Sequence, residues 1–321
     1  MPRIESLLIT GCNGFVGKSI LDYLITLPPD ERPKRLGLVS RNEIPKMPKN
    51  LLESTKISNI QADLAKPWIF NFSASHIIHL AADGSPTSYS TESGMNFMQI
   101  VKNLCAWLGT QEFPIVFHAS SGAAFGHVPL LESHLEKRRT QLGFESKIIS
   151  KASFIQFRKD AENELLRVAQ SGMCDLRIGR LYSFIGNHMY GKSQYAVPAF
   201  VNMALNSGTI KLAGDPHTVR SYLSAEEMSN WILNSLNLDI GSEILSIGSE
   251  KAVTLEDVAK YIAKLTDANV DLPQAYNSGD YYVANNEATI RRLQVKEAAP
   301  WETSIRKYLA YAREVRLNEK G

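Results

Sequence analysis

A glycine-rich stretch near the N-terminus decides the fold, and it reads Leu7-Leu8-Ile9-Thr10-Gly11-Cys12-Asn13-Gly14-Phe15-Val16-Gly17-Lys18. Its first residues form an apolar run of strand length, and apolar residues at helical spacing follow the last glycine. The three glycines therefore occupy the turn between a strand and a helix. A strand, a G-x-x-G-x-x-G turn and a helix in this order predict a dinucleotide site.

Each glycine has its own physical role in such a turn. Gly11 lets the strand turn sharply, Gly14 leaves room for a pyrophosphate, and Gly17 lets the helix pack close to the strand. The pyrophosphate would accept hydrogen bonds from free N–H groups at the positive end of the helix. The alternative is a tight turn that binds nothing. The predicted cofactor contacts of this loop are Gly11, Asn13, Gly14, Phe15, Val16 and Gly17.

The composition is that of an ordinary globular protein. The chain has 321 residues, of which 44% are hydrophobic and 21% are charged, and its formal net charge is +2. No long basic run recommends nucleic acid as a partner, and no apolar stretch reaches the ~20 residues of a membrane span. The three cysteines show neither metal-like nor paired spacing, and we expect no signal peptide before the first strand. We therefore expect a cytoplasmic protein without a metal site.

The order of the predicted elements indicates the fold class. Nearly continuous apolar strands at 35–40, 57–60, 76–82, 113–119 and 176–181 alternate with helices, among them 95–108 and 153–170. This alternation predicts an α/β protein with a doubly wound parallel sheet of the Rossmann type. We expect a dinucleotide-binding domain over 1–181, which also takes up later segments near 220–250. A smaller C-terminal α/β substrate domain is expected over 182–321.

The end of the second predicted strand bears on the choice of cofactor. A typical NAD site has Asp or Glu there to bind the ribose 2′-hydroxyl, whereas this chain has Ser40 and Arg41. A Ser–Arg pair suits a 2′-phosphate, because Arg can contact it through two hydrogen bonds. We therefore predict NADP(H), with NAD as the alternative. A further contact, to the adenine, is expected from Asp63 and Leu64 after the third strand.

An ordered set of motifs resembles the extended short-chain dehydrogenase/reductase family, which contains UDP-galactose 4-epimerase and other nucleotide-sugar epimerases, dehydratases and reductases. Besides the glycine turn, the set comprises Asp63-Leu64, His79-Leu80-Ala81-Ala82, Asn96, Ser120-Ser121-Gly122-Ala123-Ala124-Phe125-Gly126, Arg180 with Gly186, and Gly214-Asp215 with Arg220. The resemblance covers nearly the whole chain. It implies that Leu80, Ala81 and Ala82 also line the cofactor site.

The resemblance implies a catalytic Ser, with a Tyr-x-x-x-Lys pair on the following helix. Ser121 occupies the serine position and would orient the reacting oxygen. The chain, however, has no tyrosine between Tyr89 and Tyr182. One register keeps Lys159 as the lysine that binds the nicotinamide ribose and puts Ile155 at the tyrosine, whereas a second pairs Phe154 with Arg158.

A third register uses Lys151, which puts Lys147 at the tyrosine position. None supplies the phenol, although a positioned general acid–base contributes about 10²–10⁴ in rate. The site is therefore weaker, rebuilt around another donor, or not catalytic. Candidate donors are Ser121 through water, Asp83, Ser85, His127, His188, Tyr182 and Tyr190.

The second half of the chain is expected to bind a small-molecule substrate. In the family a nucleoside-diphosphate sugar binds there, and Arg220 occupies the place of an arginine that contacts the diphosphate. Asp83, Ser121 and Ser183 complete the predicted substrate contacts, although the family often has Asn where Ser183 stands. A homodimer through the helices that begin near Met95 and Ser153 is the assembly that the resemblance implies.

Two functions from different classes remain open at this point. The first is an atypical NAD(P)-dependent oxidoreductase or epimerase that acts by hydride transfer on a nucleotide sugar or a similar carbonyl compound. Dehydration is disfavoured, because Gly122 and Ala123 stand where the family's dehydratases carry an Asp–Glu pair. The alternative is a non-catalytic NAD(P)-binding sensor or scaffold that lacks the tyrosine.

Overall fold

The computed structural model describes residues 4–44, 47–82, 90–125, 152–237, 239–273 and 281–319. Within these ranges the strands are β1 Ser6–Thr10, β2 Arg35–Ser40, β3 Lys56–Gln61, β4 His76–His79, β5 Ile115–Ser121, β6 Asp175–Leu181, β7 Ser183–Ile185, β8 Thr209–Lys211, β9 Val219–Ser224, β10 Glu243–Ile247, β11 Ala252–Thr254, β12 Asn269–Asp271 and β13 Tyr281–Tyr282. The helices are α1 Phe15–Thr26, α2 Lys49–Leu52, α3 Thr91–Leu108, α4 Ala152–Gln170, α5 Ala196–Ser207, α6 Ala225–Asn237, α7 Leu255–Thr266, α8 Glu287–Leu293 and α9 Trp301–Asn318.

A seven-stranded parallel sheet forms the centre of the molecule, with the strand order β10-β6-β5-β4-β1-β2-β3. The order reverses direction at β1, as in a doubly wound fold. Every residue of β1 is buried, because helices cover both faces of the sheet. The predicted α/β Rossmann architecture is confirmed.

The two faces of the sheet have separate cores. Leu7, Ile9 and Leu38 pack on the side of α1 and α6, whereas Leu8 and Ile77 pack on the side of α3 and α4. Successive residues of β1 alternate between the two cores, as the two-residue period of a strand requires. The sheet thereby holds the carboxyl ends of its strands at one edge, where ligands of such folds bind.

A smaller unit with its own core follows β6. Strands β11, β9 and β13 pair in that order, β7 also pairs with β9, and β12 pairs with β8. Val197, Phe200, Ile262 and Ile305 belong to its apolar core. The chain crosses back twice, because α6 packs against α1 and β10 extends the large sheet beside β6. The start of β7 at Ser183 lies next to the predicted domain boundary.

Two further properties concern the described residues only. None of their helices has the length and apolarity needed to cross a membrane. Within the same ranges, no group of three or more His, Cys, Asp or Glu side chains could hold a metal ion.

Candidate functional site

The glycine loop is built by close approaches between backbone segments. Gly11 has φ of +69°, and a Cβ there would lie 3.0 Å from the backbone nitrogen of Ala81. A Cβ on Gly17 would lie 2.6 Å from the Cα of Cys12. Glycine is therefore required at both positions, because backbone atoms cannot move aside as a flexible side chain can. These contacts hold β1, β4 and α1 tightly together.

The start of α1 offers an anion site of the kind that the sequence predicts. Gly14 is the N-cap, it is exposed, and no side chain caps the helix at this end. Its own N–H donates to the carbonyl of Gly11 at 3.0 Å, which fixes the turn. The first N–H groups of a helix have no partner within the helix, so an uncapped terminus favours a phosphate. Phe15 and Val16 lie half-buried against the core behind the turn.

Asn13 connects the glycine loop to the end of β2. Its Nδ2 donates to Ser40 Oγ at 2.8 Å and to the carbonyl of Glu43 at 3.0 Å. Ser40 Oγ also accepts the backbone N–H of Asn42 at 3.2 Å. The Arg41 side chain is exposed beside this network. The loop and the predicted site for the 2′-substituent of the ribose are thus one connected structure.

The remaining predicted cofactor contacts follow β3 and β4. Asp63 is exposed, and its carboxylate accepts the N–H of Ala65 at 3.1 Å, whereas the Leu64 side chain lies in the core. Ala81 is half-buried where β4 ends. Leu80 and Ala82 lie on either side of it and are also half-buried. The roles of these residues toward a cofactor stay predictions.

Ser121 is the last residue of β5 and lies at the carboxyl edge of the sheet, as predicted. Its Oγ accepts the N–H of Ala123 at 3.2 Å and lies 3.4 Å from the Oη of Tyr282. Tyr282 in turn donates to the carbonyl of Leu181 at 3.1 Å. A phenol therefore stands beside the predicted catalytic serine, but it comes from β13. No local sequence signal could have found it, because the two residues are 161 positions apart.

Helix α4 presents Arg158 to the carboxyl edge of the sheet. Arg158 is buried, and its Nη1 donates to the carbonyl of Ala119 on β5 at 3.4 Å. The guanidinium carbon lies 4.2 Å from the centre of the Phe97 ring and 4.9 Å from that of Phe154. In the register that puts Phe154 at the tyrosine position, Arg158 takes the place of the lysine, and its cation lies against β5. Lys159 is half-buried one residue further, and its predicted role on the ribose stays a prediction.

A buried ionic network fastens α4 to the sheet. Glu162 accepts a hydrogen bond of 2.5 Å from Ser120 Oγ, and its two oxygens accept Arg180 Nε at 3.0 Å and Nη2 at 2.6 Å. The Glu162 side chain is 4% exposed and that of Arg180 is 14% exposed. Because both charges are paired and hydrogen-bonded, the network holds β5, α4 and β6 in one arrangement.

Two buried histidines lie next to this network. His79 and His118 stack with 5.4 Å between ring centres, and His118 also stacks on Phe97. His79 Nδ1 shares a 2.8 Å hydrogen bond with Thr10. Burial, reinforced by the nearby Arg158 cation, lowers the pKa of His79 to about 3. Burial likewise lowers the pKa of His118, with the proximity of His79 and Arg158 as lesser causes. Both rings are therefore neutral at ordinary pH.

Aromatic residues lie between Ser121 and Arg220, which is one of the predicted substrate contacts. The rings of Tyr182 and Tyr282 pack with 4.9 Å between centres, and the Arg220 guanidinium lies 5.8 Å from the Tyr282 ring centre. Arg220 also donates to the carbonyl of Val219 at 2.8 Å. Ser183 begins β7 and is half-buried. A contact of Arg220 or Ser183 with a substrate stays a prediction.

The other candidate proton donors either have hydrogen-bond partners away from Ser121, or have a raised pKa, or lie outside the described residues. His188 Nε2 pairs with the Asp22 carboxylate at 2.7 Å, and Tyr190 donates to Glu319 at 3.2 Å. Burial and the neighbouring Tyr282 raise the pKa of Tyr182, although the Arg180 cation opposes this. A raised pKa keeps this phenol neutral. The positions outside the described residues are Asp83, Ser85, Gly126, His127, Lys147 and Lys151.

The sequence from residue 7 to residue 248 matches the family described as the NAD dependent epimerase/dehydratase family. The chain belongs to this family. A trifunctional UDP-glucose 4,6-dehydratase/UDP-4-keto-6-deoxy-D-glucose 3,5-epimerase/UDP-4-keto-L-rhamnose-reductase of Arabidopsis thaliana is 23% identical, over 94% of this chain and 46% of that protein. A dTDP-4-dehydro-6-deoxyglucose reductase of Escherichia coli is 22% identical over 81% of each chain.

Solved structures of family members share the fold. The UDP-glucuronic acid 4-epimerase of Bacillus cereus, in complex with UDP-glucuronic acid and NAD, superimposes with a TM-score of 0.74 at 14% identity. The comparison covers 97% of this chain and 99% of that one. At this identity the likeness shows the fold alone. The chain spans about half the length of the Arabidopsis relative, at 46%.

Proposed function

We propose that this chain binds NAD(P) on the glycine loop and acts on a nucleotide sugar, as a reductase or an epimerase that works by hydride transfer. This proposal rests mainly on one observation: the uncapped start of α1 and Ser121 lie at the same carboxyl edge of the parallel sheet. The named activities of the two relatives, on UDP- and dTDP-linked sugars, support this substrate class. A bound dinucleotide would supply or accept the hydride.

The chain's own residues would hold and orient the reactants. The N–H groups of the first turn of α1 would bind the pyrophosphate, and the absence of a side chain at the exposed Gly14 keeps that approach open. Ser121 would hold the reacting oxygen of the sugar. Arg220, which lies over the Tyr282 ring, would contact the diphosphate of the substrate.

The surroundings of Gly122 favour reduction or epimerisation over dehydration. A Cβ at this position would lie 2.7 Å from the ring of Tyr182 and 2.8 Å from the Oη of Tyr282. An acidic side chain could enter only if the two tyrosines moved. The pair of rings thus fills the space where a dehydratase of the family carries an acid.

The end of β2 supports a preference for NADP(H). Arg41 is exposed next to Ser40, and the Glu43 residue is tied to Asn13 through its backbone carbonyl. We expect Arg41→Ala to weaken NADPH binding by about 10–100-fold, since a hydrogen bond to a charged group contributes about 1.5–3 kcal/mol. NADH binding should change little. Arg291→Ala is the matched control, because Arg291 is exposed on α8, which packs on β10 at the far edge of the sheet.

Turnover of candidate substrates tests the activity itself. The purified chain would be incubated with NADPH and a panel of 4-keto nucleotide sugars, and separately with UDP-glucose and UDP-glucuronic acid. Oxidation of NADPH supports a reductase, and formation of the 4-epimer supports an epimerase. Binding of NADPH without any turnover would instead favour the non-catalytic sensor or scaffold. The observation that favours this second function is that α4 carries Phe154 and Ile155 but no tyrosine.

A further inference from the structure

We propose that Tyr282 supplies the phenol that α4 lacks, and that it moves a proton to and from the substrate oxygen through Ser121. This inference rests on the proposed function and names a further catalytic group in the same site. The main observation behind it is the 3.4 Å distance between Ser121 Oγ and Tyr282 Oη at the carboxyl end of β5.

The position of Tyr282 is determined by three separate contacts. Its hydroxyl donates to the carbonyl of Leu181 at 3.1 Å, its ring packs on Tyr182, and it pairs in register with Arg220 on the neighbouring strand β9. Leu181 is itself the strand neighbour of Ser121, since β5 and β6 pair in register there. The phenol is therefore held at the end of the central sheet, although it belongs to the smaller unit.

The proposed proton path balances in both directions. During reduction the carbonyl carbon receives a hydride, and the carbonyl oxygen receives the proton of Ser121 Oγ. Ser121 is restored by the proton of Tyr282 Oη once this hydroxyl has rotated from the Leu181 carbonyl toward Ser121 Oγ, and the resulting phenolate takes a proton from water. During oxidation of a hydroxyl the same transfers run in reverse.

Removal of one oxygen atom tests this role. Tyr282→Phe keeps the ring that packs on Tyr182 and deletes only the hydroxyl. We expect kcat to fall by about 10²–10⁴, the usual contribution of a general acid–base, while KM for the nucleotide sugar changes little. The pH profile of kcat should also lose one ionisation. Tyr281→Phe is the matched control, because Tyr281 precedes Tyr282 on β13 and alternate residues of a strand face opposite sides.

A second measurement does not depend on turnover. With tyrosines labelled with ¹³C at the ζ position, the signal of Tyr282 is assigned by its loss in Tyr282→Phe. We expect this signal to shift in Ser121→Ala and again when UDP-glucuronic acid is added to the wild-type chain. The signal of Tyr281 should stay in place. If the Tyr282 signal responds to neither change, the assignment of Tyr282 is overturned.

The two proposals fail in different ways. Full turnover by Tyr282→Phe with an unchanged pH profile would remove Tyr282 from the mechanism and leave the proposed function intact. Absence of NAD(P) and UDP-sugar binding by the wild-type chain would overturn the proposed function, and the Tyr282 assignment with it. If Tyr282→Phe loses turnover because the chain is unfolded, as detected by circular dichroism, the ¹³C signal in Ser121→Ala decides, with the labelled tyrosine then introduced at position 282 alone so that no assignment variant is needed.

Discussion

We expect the buried pair His79 and His118 to make the protein less stable in mild acid, because burial lowers the pKa of both rings. Because the pKa of His79 falls to about 3, its ring stays neutral in the folded chain at pH 5, and burial lowers the pKa of His118 in the same direction. In the unfolded chain a histidine has a pKa near ~6.5 and is protonated at this pH. The unfolded state then binds more protons, so the free energy of unfolding decreases as pH falls below about 6.5.

The loss can be worked out for one ring. A histidine that is protonated only in the unfolded chain lowers the free energy of unfolding by about 2 kcal/mol between pH 7 and pH 5. Each pH unit below ~6.5 accounts for about 1.4 kcal/mol of this decrease. This decrease is a substantial part of the ~5–15 kcal/mol that stabilises a typical domain, and His118, whose pKa is also lowered by burial, adds to the loss. The loss is absent well above pH ~6.5, and it grows as the pH falls until the folded-state pKa is reached.

Replacing one of the two histidines measures how much that ring contributes to the acid-induced loss of stability. We choose His118→Phe, because His118 stacks on Phe97 and neither of its ring nitrogens has a hydrogen-bond partner among the described residues. Urea unfolding at pH 7 and pH 5 should show that the free energy of unfolding decreases less in the variant than in the wild type. His217→Gln serves as the control, since His217 is exposed. An unchanged acid loss in His118→Phe would refute the neutral, buried state of this ring.

Two further substitutions test the framework of the site by urea unfolding. Gly17→Ala should lower the free energy of unfolding by about 2–3 kcal/mol and abolish NADPH binding, because its Cβ would lie 2.6 Å from the Cys12 backbone. The control Gly109→Ala, whose Cβ would make only a 3.4 Å contact, should be nearly neutral. Equal losses in both variants would contradict the close packing of α1. Glu162→Gln should cost about 3 kcal/mol, because it leaves the Arg180 charge without its buried carboxylate. A cost below about 1 kcal/mol would show that the network is not required for stability.

Local patterns predicted most of the large sheet. The strand predicted at 35–40 is β2 of the structure, and the helix predicted at 153–170 is α4, which begins one residue earlier. Both elements have strong signals, because one is a continuous apolar run and the other has a long helical period. The strand predicted at 76–82 ends earlier, at His79, because the chain bends there toward the N–H contacts with Thr10.

The contacts that complete the site could not be predicted in this way. Tyr282 lies on a strand of two residues, which has no periodic signal, and it meets Ser121 only because β13 pairs with β9. Similarly, His79 and His118 belong to separate strands and stack because β4 and β5 pair in register. Contacts of this kind depend on the register between distant strands, which residue spacing does not contain.

Equilibrium binding of a reduced dinucleotide tests the central claim most directly. The purified wild-type chain would be titrated with NADPH and with NADH, and the nicotinamide fluorescence would be followed to saturation. We predict saturable binding at one site per chain, with NADPH bound more tightly than NADH. Tighter binding of NADH would contradict the assignment of Arg41 as a phosphate contact. Failure of both dinucleotides to bind would contradict the claim that the glycine loop is a dinucleotide site.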